Sequence, residues 1–456
     1  MSKSCPKFNE YFLILLIFCI CLTGALLLPE DQCPDETGRR FLSNWIVVHR
    51  ELPTGDELGT MLMSWVDASA EVPQIVPDAE YQGWGFSYAL RPYLSSMIGA
   101  GFQILAASFT NSPRILLAAS RMCSVLSITA CCIFSLRMGH RIFASRSSPV
   151  LFAVLVCFLP QVMFLGMYQN NDSLSLCAVS MMLYYWVESY DRKWPVRSCV
   201  GLAVALSLGL LSYYSAYGWL LMVAVFCVFS VLSDHSIPDR GQLILKRTVL
   251  ITAVCLILAG WFFIRNAYLH NGDFLGIASE AASRSRMEAL GYRLTNYVRY
   301  REKGVSIPAF LYMDRFWWLL MTLMSFIGVF GYMNILLPPV LYILYALVIT
   351  CGLVLFVVSL ARQKPNRRDS LLMIMMLLAS VITFLLHFWQ CYARDFQPQG
   401  RYIITIALPL GFVLAYGLDK LPNRVNDRLH PATVLTLGWL ALSVWATLGT
   451  MAKMLP

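Results

Sequence analysis

The sequence predicts an all-α polytopic membrane protein, a bundle of about eleven transmembrane helices, and three observations predict it. Of 456 residues, 58% are hydrophobic and only 13% charged, whereas a soluble domain carries about 25% charge. The apolar residues gather into runs long enough to cross the roughly 30 Å hydrocarbon core as helices. The cations gather in the short gaps between those runs. Together these exclude a soluble enzyme, a disordered chain and a small disulfide scaffold. The whole chain, 1–456, reads as one integral membrane domain.

In order, the runs fall at 11–28, 115–136, 149–166, 173–189, 198–213, 216–232, 248–264, 339–361, 370–388, 402–418 and 432–450. No small-residue cleavage site follows the first, which therefore reads as an uncleaved anchor. With the N-terminus in the cytoplasm, the inner segments hold Lys3 and Lys7; Arg137, Arg141 and Arg146; Arg192, Lys193 and Arg197; and Arg240, Lys246 and Arg247. They also hold Arg362, Lys364, Arg367 and Arg368, then Lys420, Arg424 and Arg428, eighteen cations in all. The short outer connections and C-terminus hold only Arg394, Arg401 and Lys453, so the positive-inside rule sets this orientation. The net charge of +9 is thus a topology signal, and no basic patch points to a nucleic-acid partner.

Two stretches exceed a simple hairpin, 29–114 and 265–338, and both fall on the outer side. Long insertions on one face usually carry function. Within them 93–109 and 307–322 read as helices lying in the membrane interface.

The residues suited to chemistry sit on that side. Asp35 and Glu36, in Pro34-Asp35-Glu36-Thr37-Gly38-Arg39-Arg40, begin about seven residues after the first span. An acid there serves either as a general base on an incoming hydroxyl or as the acidic start of a helix. Asn170, Asn171 and Asp172 form a tight turn between the third and fourth spans, suited to a helix cap or to ligand binding. Arg265, Asn266 and Asp273 follow span seven, where arginine anchors a helix end or grips a phosphate. Gln399, Arg401 and Tyr402 lie in Gln397-Pro398-Gln399-Gly400-Arg401-Tyr402, and Arg401 runs against the positive-inside tendency. Arg121 is the one basic residue inside a span; intramembrane charges are expensive and functional by default, although snorkelling is the alternative. A lipid-linked phosphate is its natural partner. Trp45, Trp65, Trp84, Trp317 and Trp318 suit either stacking on a sugar or interfacial anchoring.

The six His form no ligand set, so no zinc site is expected. No cofactor is assigned, and a divalent cation stays open. Cys33 and Cys391 are the two outward-facing cysteines, suited either to a disulfide in an oxidising compartment or to two free thiols.

The acidic first-loop motif, the Asn-Asn-Asp turn and the Trp261...Arg265-Asn266...Gly272-Asp273 stretch resemble the GT-C class of membrane glycosyltransferases. Pro34-Asp35-Glu36, Ser325-Phe326 with Gly328, Phe330 and Gly331, and Gln397–Tyr402 are similar to a bacterial family catalogued as domain of unknown function 2142. The resemblance runs over roughly 10–420. It implies a GT-C-like bundle that moves a sugar from a polyprenyl-phosphate donor to an extracytoplasmic glycan, lipid or protein acceptor, in a multi-pass protein of the cell membrane. It implies Asp35 as the base with Glu36 beside it, phosphate binding by Arg121, Arg265 and Arg401, and the Asn-Asn-Asp turn beside the sugar. The competing readings are a transporter or flippase, disfavoured because the spans carry few midplane ionisable residues, and a non-catalytic assembly subunit or sensor.

Overall fold

The computed structural model describes residues 8–30, 32–54, 87–289, 298–420 and 431–455. Trp65 and Trp84, Lys3 and Lys7, and Arg424 and Arg428 lie outside the described residues. The first run forms α1 (Phe8–Leu27), which stops just before Pro29, a residue with no amide hydrogen to continue the ladder. The first insertion follows as α2 (Glu36–His49), α3 (Ser87–Leu90) and α4 (Leu94–Ala107). In α4 the face of Ser95, Ser96, Gly99 and Ala100 is buried, whereas Leu105, and Phe109 just beyond the helix, are exposed. Small residues let α4 approach α2 and α5 (Pro113–Ile142), so this stretch is packed into the bundle on its polar side.

α5 is about 45 Å long at 1.5 Å per residue, enough to cross a bilayer at a tilt. It is the central post, packing on α1, α4, α6 (Ser148–Cys157) and α8 (Asp172–Asp191). The run 149–166 is not one helix. Pro160 breaks it, and α6 passes through Phe158 and Leu159 into the short α7 (Pro160–Leu165). A broken backbone at membrane depth is tolerated only where protein surrounds it, and nearly every residue of α6 and α7 is buried.

α9 (Val196–Leu210) and α10 (Tyr217–Leu232) are joined by an extended Tyr213 and a 3-10 turn, so the run 198–213 ends early. α11 (Arg240–Cys255) continues through a π-helical turn, Leu256–Gly260, into α12 (Trp261–Leu269), making that span longer than its apolar run. The second insertion contributes α13 (Ile277–Ala289), α14 (Ile307–Tyr312) and α15 (Trp317–Gly328). The stretch 307–322 is therefore two helices, separated by a turn at Met313–Arg315 and a left-handed Phe316. A two-stranded antiparallel hairpin, β1 (Val329–Phe330) with β2 (Ile335–Leu336), leads to α16 (Pro339–Arg362). α17 (Arg367–Trp389) ends in a π turn, Gln390–Arg394. A 3-10 turn, Gly400–Ile406, opens α18 (Ala407–Asp419), and α19 (Pro431–Met451) closes the described chain.

Eight of the described helices are long and apolar enough to cross a membrane. The runs at 149–166, 173–189 and 198–213 supply the shorter or more polar helices α6 to α9, which the bundle shields. At one end, Arg141 pairs with Glu188 at 2.7 Å and Arg368 with Asp191 at 3.0 Å, tying α5, α8 and α17 together. Arg121 sits some 30 Å away along α5, near the other end. That other end carries both insertions and the candidate site.

Candidate active site

The site is built on a buried strut. Arg121 on α5 is fully buried, and its Nε and Nη2 donate to the two carboxylate oxygens of Glu36 at 2.7 Å each. Its Nη1 donates to the Ala25 and Leu28 carbonyls at 2.9 and 2.7 Å, and Nη2 also reaches that of Pro29 at 3.2 Å. A guanidinium has five N–H donors, and all five find acceptors within the protein. Arg121 thus closes the C-terminal end of α1, whose last carbonyls lack helical partners, and complements its dipole. Glu36 also accepts from the Gln169 amide at 2.9 Å. One ion pair locks the end of α1, the start of α2 and the turn before α8, and so sets where the neighbouring Asp35 stands.

Asp35 caps α2 in the left-handed region, φ 60°. That backbone is uncommon for a residue with a Cβ, and it occurs where surrounding structure holds it. Arg401 Nη2 donates to its Oδ2 at 2.6 Å and the Tyr88 hydroxyl to Oδ1 at 3.2 Å. The carboxylate keeps about 30% of its surface open. Burial pushes the carboxyl upward, but the Arg401 and Arg39 cations and the two hydrogen bonds outweigh it and hold the pKa below the usual range.

Arg401 itself is buried. Its Nε donates to Gln399 at 2.5 Å and its Nη2 to the Tyr402 hydroxyl at 3.1 Å, while Nη1 lies 3.8 Å from Asp172. The loop that carries it seats against α15: the Gly400 amide donates to Ser325 Oγ at 2.7 Å. A Cβ on Gly400 would overlap the backbone of Phe326, so only glycine allows this approach. The Ser325-Phe326 and Gln397–Tyr402 motifs are thereby two sides of one contact.

Asp35, Tyr88 and Tyr402 line a polar cavity of about 420 Å³ together with Arg91, Glu280, Arg299 and Gln397. An adjoining cavity of about 360 Å³ runs between the ends of α10 and α17, lined by Tyr214, Tyr217, Leu386, His387 and Trp389. Arg91, Tyr213, Glu280, Arg394 and Tyr402 belong to both walls. The polar chamber with its carboxylate and the more apolar groove are therefore neighbours.

Of the residues singled out from sequence, Asp35, Asp172, Gln399 and Tyr402 converge on the Arg401 guanidinium, with Asp35 and Tyr402 alone of the five on the cavity walls. Asn170 and Asn171 lie one layer behind. Asn170 donates to the Leu165 and Tyr168 carbonyls at 2.7 and 2.8 Å and accepts from the Ser173 amide at 2.8 Å. Asn171 bonds Ser95 and the Pro92 carbonyl. Arg265 donates to the Leu52 and Pro53 carbonyls at 2.8 and 2.9 Å, and Asn266 to that of Leu90 at 3.0 Å, pinning the first insertion to α12. Asp273 accepts from the Ile277 and Ser279 amides at 3.1 and 2.7 Å and so starts α13. Arg121, Arg265 and Asn266 do not reach either cavity wall described above.

Of the two readings of Cys33 and Cys391, the structure has free thiols. Cys33 and Cys391 are both free and buried, Cys33 in the main core and Cys391 in a separate cluster with Phe310 and Trp318. The Cys391 thiol instead donates to the Gln397 carbonyl at 3.2 Å. Among the described residues no three His, Cys, Asp or Glu gather as a metal-ligand set, so no residue is assigned to a cation. Trp318 is buried, Trp317 is 43% exposed, and Trp45 stacks on His49. Sequence reasoning missed Tyr88, Arg91, Tyr213 and Glu280, and gave Arg39 no role although it stands in the Asp35 motif.

Residues 78–410 match a family described as "Predicted membrane protein (DUF2142)". The chain belongs to that family. The DUF2142 match includes the cavity residues Tyr88, Arg91, Tyr213, Glu280 and Tyr402, as well as Arg401 behind the wall, and begins beyond Asp35. No curated protein sequence matches the chain. Among solved structures, ArnT from Cupriavidus metallidurans bound to undecaprenyl phosphate is similar at TM-score 0.55 and 13% identity, over 97% of this chain and 71% of that one. Arabinofuranosyltransferase AftD from Mycobacteria is similar at TM-score 0.53 and 13% identity, over 100% of this chain and 29% of that one. The oligosaccharyltransferase of Archaeoglobus fulgidus in its apo form is similar at TM-score 0.51 and 12% identity, over 99% of this chain and 56% of that one. At such identity the likeness is one of fold: this DUF2142 protein has the architecture of GT-C membrane glycosyltransferases, and it spans far less than the full length of the latter two.

Proposed function

We propose that this protein is a membrane glycosyltransferase that takes a sugar from a polyprenyl-phosphate donor and passes it to a glycan, lipid or protein acceptor outside the cytoplasm. The observation that carries the reading is Asp35: a partly open carboxylate, kept ionised, on the wall of a polar cavity that adjoins a more apolar groove. The fold shared with ArnT, AftD and the archaeal oligosaccharyltransferase supports the same reaction class. The sugar fits the polar chamber, and the lipid tail fits the groove and the bilayer beyond it.

In this scheme Asp35 takes the proton of the acceptor hydroxyl, whose oxygen attacks the anomeric carbon from the face opposite the phosphate. The bond from that carbon to the phosphate oxygen breaks, leaving polyprenyl phosphate and an inverted glycosidic bond. In this scheme the shared-wall cations Arg91 and Arg394 face the leaving phosphate as negative charge grows on it, and such groups act most strongly in a site sheltered from water, while Arg401, bonded to Asp35 and off both walls, holds the base. Arg121 and Glu36 serve as the strut that places Asp35, since their polar atoms are engaged within the protein. Asp172 completes the acidic side of Arg401, and Gln399 and Tyr402 hold its guanidinium.

The test compares polyprenyl-phosphate lipids by mass spectrometry in cells carrying wild-type protein or Asp35→Asn. Loss of the base lowers transfer by about 10²–10⁴-fold, so one sugar-charged carrier accumulates and identifies the donor. Unchanged lipids with both proteins present at equal levels would remove Asp35 from this role.

A further inference from the structure

Asp35 is held at two points, and the two holders are themselves joined through three more side chains. On one side Tyr88 donates to Oδ1; the Arg39 guanidinium lies 5.2 Å from the centre of the Tyr88 ring and 5.6 Å from that of Tyr213. Tyr213 stacks on Tyr402, with centroids 6.5 Å apart and planes 21° from parallel. Tyr402 lies 4.8 Å beneath the Arg401 guanidinium and accepts a hydrogen bond from it at 3.1 Å. Arg401 then returns to Asp35 Oδ2 at 2.6 Å. The circuit draws on α2, α3, the connection between α9 and α10, and the turn that opens α18.

We propose that Arg39, Tyr88, Tyr213 and Tyr402 are positioning residues that close, with Arg401, a ring of stacked cations and aromatic faces fixing the Asp35 carboxylate at the cavity wall. A cation against an aromatic face is attracted by the ring quadrupole, more strongly when water is excluded, and Arg39 is only 4% exposed. Arg39 is also one helical turn from Asp35, its amide donating to the Asp35 carbonyl at 3.2 Å. A planar guanidinium between two rings keeps one orientation, which aims the Tyr88 hydroxyl at Oδ1. Among the described residues Tyr213 makes no hydrogen bond or ion pair to Asp35, and it is joined to the residues holding Asp35 through Arg39 and Tyr402. The catalytic purpose of the ring rests on the base role proposed above, but the ring can be read from the carboxylate itself.

The titratable and charged groups facing Asp35 are Arg39 of α2, Tyr88 of α3, Tyr168 and Asp172 around the turn before α8, and Arg401 and Tyr402. The experiment follows amide formation at Asp35 with a water-soluble carbodiimide and an amine, by peptide mass spectrometry, on full-length protein in lipid nanodiscs across a pH series. The protonated carboxyl reacts, so loosening the cations moves the profile to higher pH. Tyr213→Leu is expected to shift it by about half a pH unit or more, roughly threefold more labelling at fixed pH, whereas Tyr213→Phe retains the stack and the wild-type profile. A Tyr213→Leu profile superimposed on wild type overturns the ring. Should that variant fail to fold, Tyr88→Phe keeps the ring against Arg39 but loses the bond to Oδ1; it is expected to shift upward, and no shift is equally fatal. Undiminished sugar transfer by Asp35→Asn would sink the catalytic base and leave this result standing.

Discussion

Arg121 and Arg401 are both buried arginines facing an acid, yet they do different things. Arg121 has every donor satisfied by Glu36 and by carbonyls at the end of α1. Arg401 Nη1 makes no hydrogen bond among the described residues, while Nη2 reaches an acid on the cavity wall and Nε is held by Gln399. Removing one member of a buried pair strands the other, at a cost of about 3–5 kcal/mol. Arg121→Leu is therefore expected to lower the thermal midpoint sharply, read from intrinsic tryptophan fluorescence of the purified protein. Adding Glu36→Leu should recover part of the loss, since the orphaned charge goes but the Ala25, Leu28 and Pro29 carbonyls stay unpaired. An unchanged midpoint in the single variant would show that the strut carries no stability. The role of Arg121 was legible only as far as its cost: a charge within a span demands a partner, and an isolated sequence does not name it.

At the scale of elements, the helices that departed from the apolar runs did so for local reasons. Pro160 splits the third run because it cannot donate to the preceding turn. Tyr213 leaves the helix to stand extended beside Tyr402, and that departure makes it a cavity residue. Nothing in an apolar run marks such a tyrosine as special, so it passed as part of a span. The contact between α15 and the turn Gly400–Ile406 sets the height of Arg401. Gly400→Ala places a Cβ against backbone atoms that cannot yield as a side-chain tip can. A loss of about 3 kcal/mol or more is expected, at the upper end of ordinary overpacking. The check is a thermal melt alongside Ser325→Ala, which removes the hydroxyl that accepts from the Gly400 amide and donates back to its own helix, at about 1 kcal/mol per bond. Equal effects of the two would argue that the seat is looser than its geometry.

Across the whole molecule, the two insertions meet at one end of the bundle and the Arg141 and Arg368 ion pairs lie at the other. The placement of cations predicts that the insertions face away from the cytoplasm. A bacterial alkaline phosphatase inserted within 55–86 should then be active, and one inserted at 363–366 inactive. The reverse pattern would invert the orientation and move the proposed chemistry to the cytoplasmic face. The Arg91–Glu280 pair joins the first insertion to the second on the wall shared by both cavities, so neither insertion alone makes the site.

What the sequence by itself determined is what local pattern can carry. Apolar run length specifies membrane helices, the cations between runs predict an orientation, and short polar motifs pick out candidate residues on one face. Asp35, Asp172 and Arg401 were visible in that way. Only the tertiary structure decided that Arg401 meets Asp35 across 366 positions of chain, that Arg121 is consumed by Glu36, and that Cys33 and Cys391 rest in separate cores. The reason is physical: burial makes a charge expensive wherever it lies, but packing alone brings its partner within the few ångströms at which that cost is offset.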